Sequence, residues 1–283
     1  MRRLLTGAGV THLPGVYDPL TAALAVRAGF AAAHLSGAAV SALRLGLPDL
    51  GYLHGTHIAS VAATVTPALG VVPLLADADT GYGNAPHAVW TARRYAAAGV
   101  AGLHLEDQVS PKRCGHLAGK ELLDAGLAAA KIRAVAEAGT GLVVVARTDA
   151  YTVTGLDDAI DRALRYAHAG ADAVFVEGVT GVDDLAAVHA ALPDMPLVVN
   201  RSEAGPAAFV ADATLAELGV RFVLHPVAPL LAALEAARAA YAAIAADGHA
   251  GAVPRLPWDA FTGLVGQADA LALDARYAPE VPA

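Results

Sequence analysis

The sequence predicts an α/β chain folded as a single (β/α)8 TIM barrel. Three observations predict it: eight short apolar runs, a longer helical and mostly Ala-rich run after each, and a small residue-glycine junction where several helical runs give way to the next strand. Strands alternating with longer helices give a parallel sheet covered by helices. Eight such repeats favour closure into a barrel over an open sheet.

Taken in order, the strand-like runs cover residues 9–16, 31–36, 71–76, 102–106, 142–147, 173–177, 197–200 and 221–225. The helical runs lie near residues 20–28, 56–66, 85–98, 126–138, 156–169, 182–192, 207–218 and 229–246. Ala28-Gly29-Phe30, Ala98-Gly99-Val100, Ala169-Gly170-Ala171 and Leu218-Gly219-Val220 mark helix-to-strand junctions. Glycine just past a helix takes the left-handed conformation without a Cβ penalty, so these four read as stop signals. A Gly/Pro-rich stretch, residues 248–257, leads to a helical tail over 259–273. The expected organisation is a barrel over residues 1–247 and a tail over 248–283 that packs on the barrel or on a neighbouring subunit.

At 283 residues and 56% hydrophobic, the chain can bury a full core. Its net charge of -8, without a basic stripe, argues against a nucleic-acid partner. Arg2-Arg3 precede no long apolar run, so no signal peptide is expected. Apolar stretches are short or broken, and none reads as a membrane span. The lone cysteine, Cys114, rules out an internal disulfide. A cytoplasmic setting is expected.

Polar residues gather where strands end. Strand 2 ends in Ser36-Gly37, strand 3 in Asp77-Ala78-Asp79, strand 4 in Glu106-Asp107, strand 5 in Arg147-Thr148-Asp149, and the last three in Glu177, Asn200 and His225. In a (β/α)8 barrel these ends converge on the active site. Charged groups there cost desolvation energy, which a metal or a charged substrate recovers. Asp77 and Asp79 share a side-chain parity, and Glu106 comes from the next strand. Three carboxylates without a Cys-x-x-Cys or a His pair favour Mg²⁺ or Mn²⁺ over zinc. Asp77 is the expected direct ligand, and Asp49, in the loop after strand 2, is a further carboxylate near the ion.

The segment Lys112-Arg113-Cys114-Gly115-His116 reads as a loop over this site that closes on bound substrate. Lys112, Arg113 and a protonated His116 are expected to lower the Cys114 pKa. Such a cysteine donates a proton or acts as a nucleophile; the alternative is a free cysteine filling a core gap. Ser36-Gly37-Ala38 offers a hydroxyl and backbone N–H groups to a carboxylate, or forms a tight turn. Arg147 binds an anion or makes a structural ion pair. Glu177 and Asn200 bind substrate or support groups that do. His34 is core or pocket lining. Tyr82, in Gly81-Tyr82-Gly83-Asn84, shapes the metal-side loop.

Together, Asp77-Ala78-Asp79-Thr80-Gly81-Tyr82-Gly83, His104-Leu105-Glu106-Asp107-Gln108 and Lys112-Arg113-Cys114-Gly115-His116 resemble the isocitrate lyase / phosphoenolpyruvate mutase superfamily. Leu35-Ser36-Gly37, Gly46-Leu47-Pro48-Asp49-Leu50-Gly51 and Ala146-Arg147-Thr148-Asp149-Ala150 fit as well. The resemblance spans about residues 10–245, and its motifs are closest to 2-methylisocitrate lyase and carboxyphosphonoenolpyruvate mutase. It implies a barrel whose eighth helix is swapped between subunits of a dimer-of-dimers homotetramer. It implies Mg²⁺ on Asp77, its waters held by Asp49, Asp79 and Glu106. It implies that Ser36, Gly37 and Ala38 bind a 2-oxo-acid carboxylate, that Arg147 contacts substrate oxygens, and that Cys114 is catalytic. Tyr82, Gly115, Glu177, Asn200 and Ser202 complete the expected substrate contacts, with Glu106, Lys112, Arg113 and His116 beside Cys114 and Arg147 in the catalytic set.

The implied activity is Mg²⁺-dependent carbon–carbon cleavage of a small 2-hydroxy di- or tricarboxylate to a 2-oxo acid and a second carboxylate. The alternatives are a phosphonomutase, an oxaloacetate- or phosphonopyruvate-type hydrolase or decarboxylase, and a non-catalytic anion-binding barrel. Two departures stand out. Asn200-Arg201-Ser202-Glu203-Ala204-Gly205 replaces the Asn-x-Thr-Glu-Phe-Gly pattern of methylisocitrate lyase, and Leu231 stands where an Arg follows strand 8. Without that Arg a dicarboxylate or alkylated malate suits the site better than a tricarboxylate, unless Arg201 compensates from another direction.

Overall fold

The computed structural model describes residues 1–179, 181–201 and 210–278. Two compact units result, Met1–Pro229 and Leu230–Ala283.

The first unit is a barrel of eight strands: β1 (Thr11–Pro14), β2 (Ala33–Leu35), β3 (Leu74–Asp77), β4 (Gly102–Glu106), β5 (Val143–Thr148), β6 (Ala173–Val176), β7 (Leu197–Asn200) and β8 (Val220–His225). All pairings are parallel, each strand beside the next and β1 beside β8. Between β1 and β2 a single bridge, Gly15 to His34, spans the remaining gap, and the Val16 N–H donates to the His34 carbonyl at 2.8 Å. Helices α2 (Pro19–Arg27), α3 (Gly37–Leu45), α4 (Gly55–Leu69), α5 (Ala85–Ala97), α6 (Ala125–Ala136), α7 (Leu156–His168), α8 (Val182–Ala191) and α9 (Asp212–Glu217) connect the strands.

Local chemistry sets these helix ends. Asp18 caps α2 in a box with Thr21, with Pro19 at its first position, and Asn84 and Asp124 cap α5 and α6. Gly29, Gly99, Gly170 and Gly219 all have positive φ, as the junction pattern requires. Helix α3 falls in a stretch where the sequence analysis places no helix, because Ser36-Gly37 reads equally as a turn. It is a full helix with Ser36 at its N-cap.

Strand parity sorts the core. Leu13, Leu75, Val143, Val145, Ala173, Phe175, Val198, Phe222 and Leu224 form one buried cluster inside the barrel. The alternate residues, such as Leu74, Leu103, Val144 and Val174, pack outward in the clusters that include helix residues. The short α1 (Arg2–Leu5) adds Leu5 to the interior cluster, with Met1 and Leu4 packed against it. Arg2 reaches the Leu142 carbonyl and the Asp172 carboxylate, at the opposite end of β5 from Arg147. Phe222→Ala, which empties a fully buried interior position, is expected to cost about 3–5 kcal/mol, measured by urea unfolding.

The second unit holds most of α10 (Ala228–Asp247), then α11 (Trp258–Leu264) and α12 (Gln267–Tyr277). The helical tail expected over 259–273 holds two helices, separated at Gly266, which is left-handed at φ 66°. By length and composition alone α10 would pass for a membrane span, an 18-residue stretch of its 20 residues having mean hydropathy 1.3. That hydropathy comes largely from alanines around the Glu235–Arg238 pair.

Candidate active site

At the C-terminal end of the barrel the inward-facing positions turn polar. Two residues beyond His34, Leu75, His104, Val145, Phe175 and Val198 stand Ser36, Asp77, Glu106, Arg147, Glu177 and Asn200. One parity on each of these six strands therefore delivers a floor of four apolar residues and two histidines and a polar rim. The pocket there is lined by Ser36, Ala38, Asp49, Asp77, Cys114, Gly115, His116, Arg147, Glu177 and Asn200. His34, His104 and Phe175 form its depth, and Leu224, Pro226 and Val227 complete the wall.

The acidic side is built around Asp77. Its Oδ2 accepts from the Gly37 N–H at 3.1 Å and its Oδ1 from the Asp79 N–H at 3.0 Å. Gly37 opens α3, so the helix's positive end faces the carboxylate. A Cβ on Gly37 would sit 2.8 Å from that same Oδ2. Burial alone would raise the Asp77 carboxyl, but His104, Lys112 and Arg147 outweigh it and hold the group well below the usual range. Asp79 is held the other way: burial and the neighbouring Asp77 and Asp49 charges push it up to about 7 against the pull of Lys112. Lys112 hydrogen-bonds Asp49 and lies 3.0 Å from Asp79 Oδ1 as an ion pair.

Three buried oxygens, Asp79 Oδ1 and both of Glu106, accept no aligned hydrogen bond among the described residues. Asp79 Oδ1 and Glu106 Oε2 have only ion pairs, to Lys112 and Arg147; hard oxygens with such spare acceptor capacity suit Mg²⁺ or the waters it carries. No three His, Cys, Asp or Glu side chains of the described residues converge tightly enough to ligate a metal directly. The donor set therefore fits an ion held by few protein ligands and several waters.

Beneath Asp77 lies a histidine pair that the sequence reading half missed. His104 Nδ1 is 3.5 Å from Asp77 Oδ1, and His104 Nε2 meets His34 Nε2 at 3.0 Å. Burial lowers both, His34 to about 3, against the opposing pull of Asp77 on each. His104 shares inward parity with Glu106, the signal that would have found it.

Arg147 forms the basic side. Its Nε and Nη2 clamp Asp149 at 3.0 Å each, Nη1 lies 3.2 Å from Glu106 Oε2, and Nη2 lies 3.9 Å from Glu177. The guanidinium also lies over Phe175, 5.5 Å from the ring centroid. Below, fully buried Asp107 accepts from Thr148, the Asp149 N–H, Arg162 and Tyr166. It locks the turn after β5 that aims Arg147.

Residues 110–120 form the flap. Buried Gln108 holds it, its amide bonding the Arg113 carbonyl and N–H at 2.9 Å each. The Cys114 N–H donates to the Asp49 carbonyl at 3.1 Å. Lys112 and Cys114 turn inward, and Arg113 between them is exposed. Cys114 Sγ is 3.7 Å from His116 Nδ1. The expectation of a lowered thiol pKa is overturned: burial pushes Cys114 up, helped by Asp49, against the pull of the His116 backbone, Lys112 and Arg147. The thiol is therefore protonated at neutral pH. Gly115 seats directly on the basic side; a Cβ there would lie 2.6 Å from Arg147 Nη2 and 2.8 Å from Glu177. Gly115→Ala is expected to hold the flap open and lower kcat by about 10²-fold, as a misplacement of about 1 Å does, with little change in melting temperature.

Other expected residues fall elsewhere. Tyr82 does not line the pocket: its hydroxyl turns to Tyr95 at 3.3 Å, and Tyr95 donates to the Asp77 carbonyl. Burial holds the Tyr82 phenol protonated, which removes it as a base. Arg113 points away from the pocket because side chains alternate along the extended flap. His225 faces outward to His12 at 3.0 Å, while Leu224 takes the inward position. Ser202 lies outside the described residues.

The phosphoenolpyruvate phosphomutase family matches residues 1–245 of the chain. The chain is 38% identical over 238 residues to 2,3-dimethylmalate lyase of Eubacterium barkeri, covering 83% of this chain and 82% of that protein. It is 41% identical over 235 residues to 2-methylisocitrate lyase of Bacillus subtilis (strain 168), covering 83% and 77%. The solved structure of phosphonopyruvate hydrolase in complex with oxalate and Mg²⁺ superposes with a TM-score of 0.85 at 30% identity, covering 98% of this chain and 97% of that one.

Proposed function

The chain belongs to the phosphoenolpyruvate phosphomutase family, and from that premise we propose that it is a Mg²⁺-dependent carbon–carbon lyase acting on a small 2-hydroxy di- or tricarboxylate. One observation carries the reading: a cysteine thiol on a flap, its pKa raised by burial, faces a buried carboxylate set on one side and an arginine on the other. Asp77 would hold the ion, with Asp49, Asp79 and Glu106 on its waters. When bound, Mg²⁺ supplies a Lewis acid that lowers the pKa of the substrate 2-hydroxyl.

The chain's own residues do the rest. Ser36 and the N-terminus of α3 orient the substrate carboxylate. Arg147, fixed by Asp149 and Phe175, neutralises charge on the substrate oxygens. The hydroxyl proton leaves to a base, for which Glu106 is the remaining side-chain candidate. The C2–C3 bond then breaks, its electron pair stays on C3, and C2 becomes the carbonyl of a 2-oxo acid. Cys114 gives its proton to C3, completing the second carboxylate, and Lys112 balances the charge left behind.

Two features favour the smaller substrates: Ala38, Phe175, Leu224, Pro226 and Val227 in the pocket lining are apolar, and the sequence has Leu231 where methylisocitrate lyase has an Arg. A panel of alkylmalates, methylisocitrate-type tricarboxylates, oxaloacetate and phosphonopyruvate, assayed with Mg²⁺ for released 2-oxo acid, tests the assignment. Alkylmalate cleavage is expected to exceed the others in kcat/KM by at least about tenfold, as one unpaired carboxylate would dictate. Turnover of oxaloacetate or phosphonopyruvate alone would favour the hydrolase reading. The homotetramer belongs to the same proposal: α10 exposes Leu231, Leu234, Tyr241 and Ile244 and buries only Leu230, which suits exchange of this helix between copies.

A further inference from the structure

We infer that Lys120 is a positioning residue, the latch that holds the flap closed and couples its closure to the orientation of Arg147. Its ammonium makes two contacts. It donates to the Gly115 carbonyl at 2.6 Å and to Asp149 Oδ1 at 3.0 Å. Both side chains are essentially sealed from solvent, Lys120 at 2% and Asp149 at 0%.

The geometry closes a ring. Asp149 clamps Arg147 through both of its oxygens and receives Lys120 on one of them. Lys120 holds the carbonyl of Gly115, the residue after Cys114. Gly115 in turn packs on Arg147 so closely that no side chain fits between them. Flap closure and arginine placement thus share one carboxylate. If the flap lifts as a body, the ammonium parts from Asp149, and if only its Cys114–Gly115 part lifts, the ammonium loses the Gly115 carbonyl; either way a desolvated cation short of a partner is costly. Lys112 makes a second tether, to Asp49 and Asp79 on the acidic side. Lys120 is the tether on the basic side, at the flap's C-terminal end.

This inference rests on the flap covering the pocket, and its principal test needs no turnover, so it can fail while the lyase reading stands. Cys114 is the single cysteine of the chain, so its alkylation by iodoacetamide reports flap opening at one site. Rates are compared as limiting values for the thiolate at high pH, well below the melting temperature, which removes differences in pKa and in global stability. Lys120→Met is expected to speed alkylation by about tenfold or more, the effect of losing one charge-assisted hydrogen bond. Lys120→Arg, which keeps the charge and donors, is expected to stay near the wild-type rate. With a cleaved substrate, kcat is expected to fall in Lys120→Met while KM changes little. Should that variant not fold, Lys120→Gln replaces it with the same expected acceleration. An unchanged alkylation rate in a folded Met or Gln variant overturns the inference. So does acceleration matched by an equal rise in proteolysis across the whole barrel.

Discussion

Asp77→Ala is expected to abolish metal-dependent turnover, with kcat/KM falling by roughly 10³-fold or more. The size follows from the Lewis acid, whose loss removes several kcal/mol of transition-state stabilisation. Calorimetric titration of the variant should lose Mg²⁺ binding as well. The loss is not a folding defect in disguise. The variant leaves the Gly37 and Asp79 N–H groups without their carboxylate, a penalty of about 1–3 kcal/mol for a buried unsatisfied donor. It also removes a negative charge from beside Asp79, whose carboxyl the neighbouring acids push up. Asp77→Asn narrows the gap, since its one amide oxygen keeps an acceptor for one of the two donors while the charge is lost. It should melt above the alanine variant and still fail to turn over. Full activity in either variant would contradict the placement of the ion.

Cys114→Ser should lower kcat by about 10²- to 10⁴-fold, the range for a lost general acid. The pH dependence gives the sharper sign. Proton donation needs the thiol, and burial raises its pKa in the folded protein. Wild-type activity should therefore persist past the ordinary thiol pKa of about 8.5 and fall as pH rises through the folded value. A serine hydroxyl does not titrate in that range, so the high-pH limb assigned to the thiol should vanish in the variant. A limb unchanged in Cys114→Ser would assign it to another group. An increase in rate as the thiol ionises would favour a nucleophilic cysteine instead.

Much of this site was legible before any coordinates, because period-two strands make geometry out of spacing. Asp77, Glu106, Arg147, Glu177 and Asn200 each end an apolar run, and parallel strands in register bring such ends to one mouth. What escaped the sequence needed the third dimension. Arg113 and Lys112 look equivalent as neighbours, yet Lys112 is buried against Asp49 and Asp79 while Arg113 is exposed. Tyr82 sits beside two aspartates in sequence, but its hydroxyl belongs to Tyr95. The Cys114 pKa was misjudged because nearby cations are visible in a sequence and desolvation is not. Asp107 acts through Thr148 and Asp149, 41 and 42 residues away, and Lys120 through Asp149, 29 away, pairings that no local spacing reveals. Helix α3 was hidden by a Ser-Gly start that serves turns and helix N-termini alike.

The central claim is metal-assisted C–C cleavage with the flap thiol protonating the carbon left behind. Its most direct measurement is proton NMR of the products formed from an alkylmalate in D₂O, with Mg²⁺ and with EDTA. The account predicts a 2-oxo acid together with a carboxylate carrying one solvent deuterium at the former C3, formed with Mg²⁺ and suppressed by chelation. Equal product formation in EDTA, or recovery of every 2-hydroxy acid uncleaved while Mg²⁺ binds normally, would contradict it.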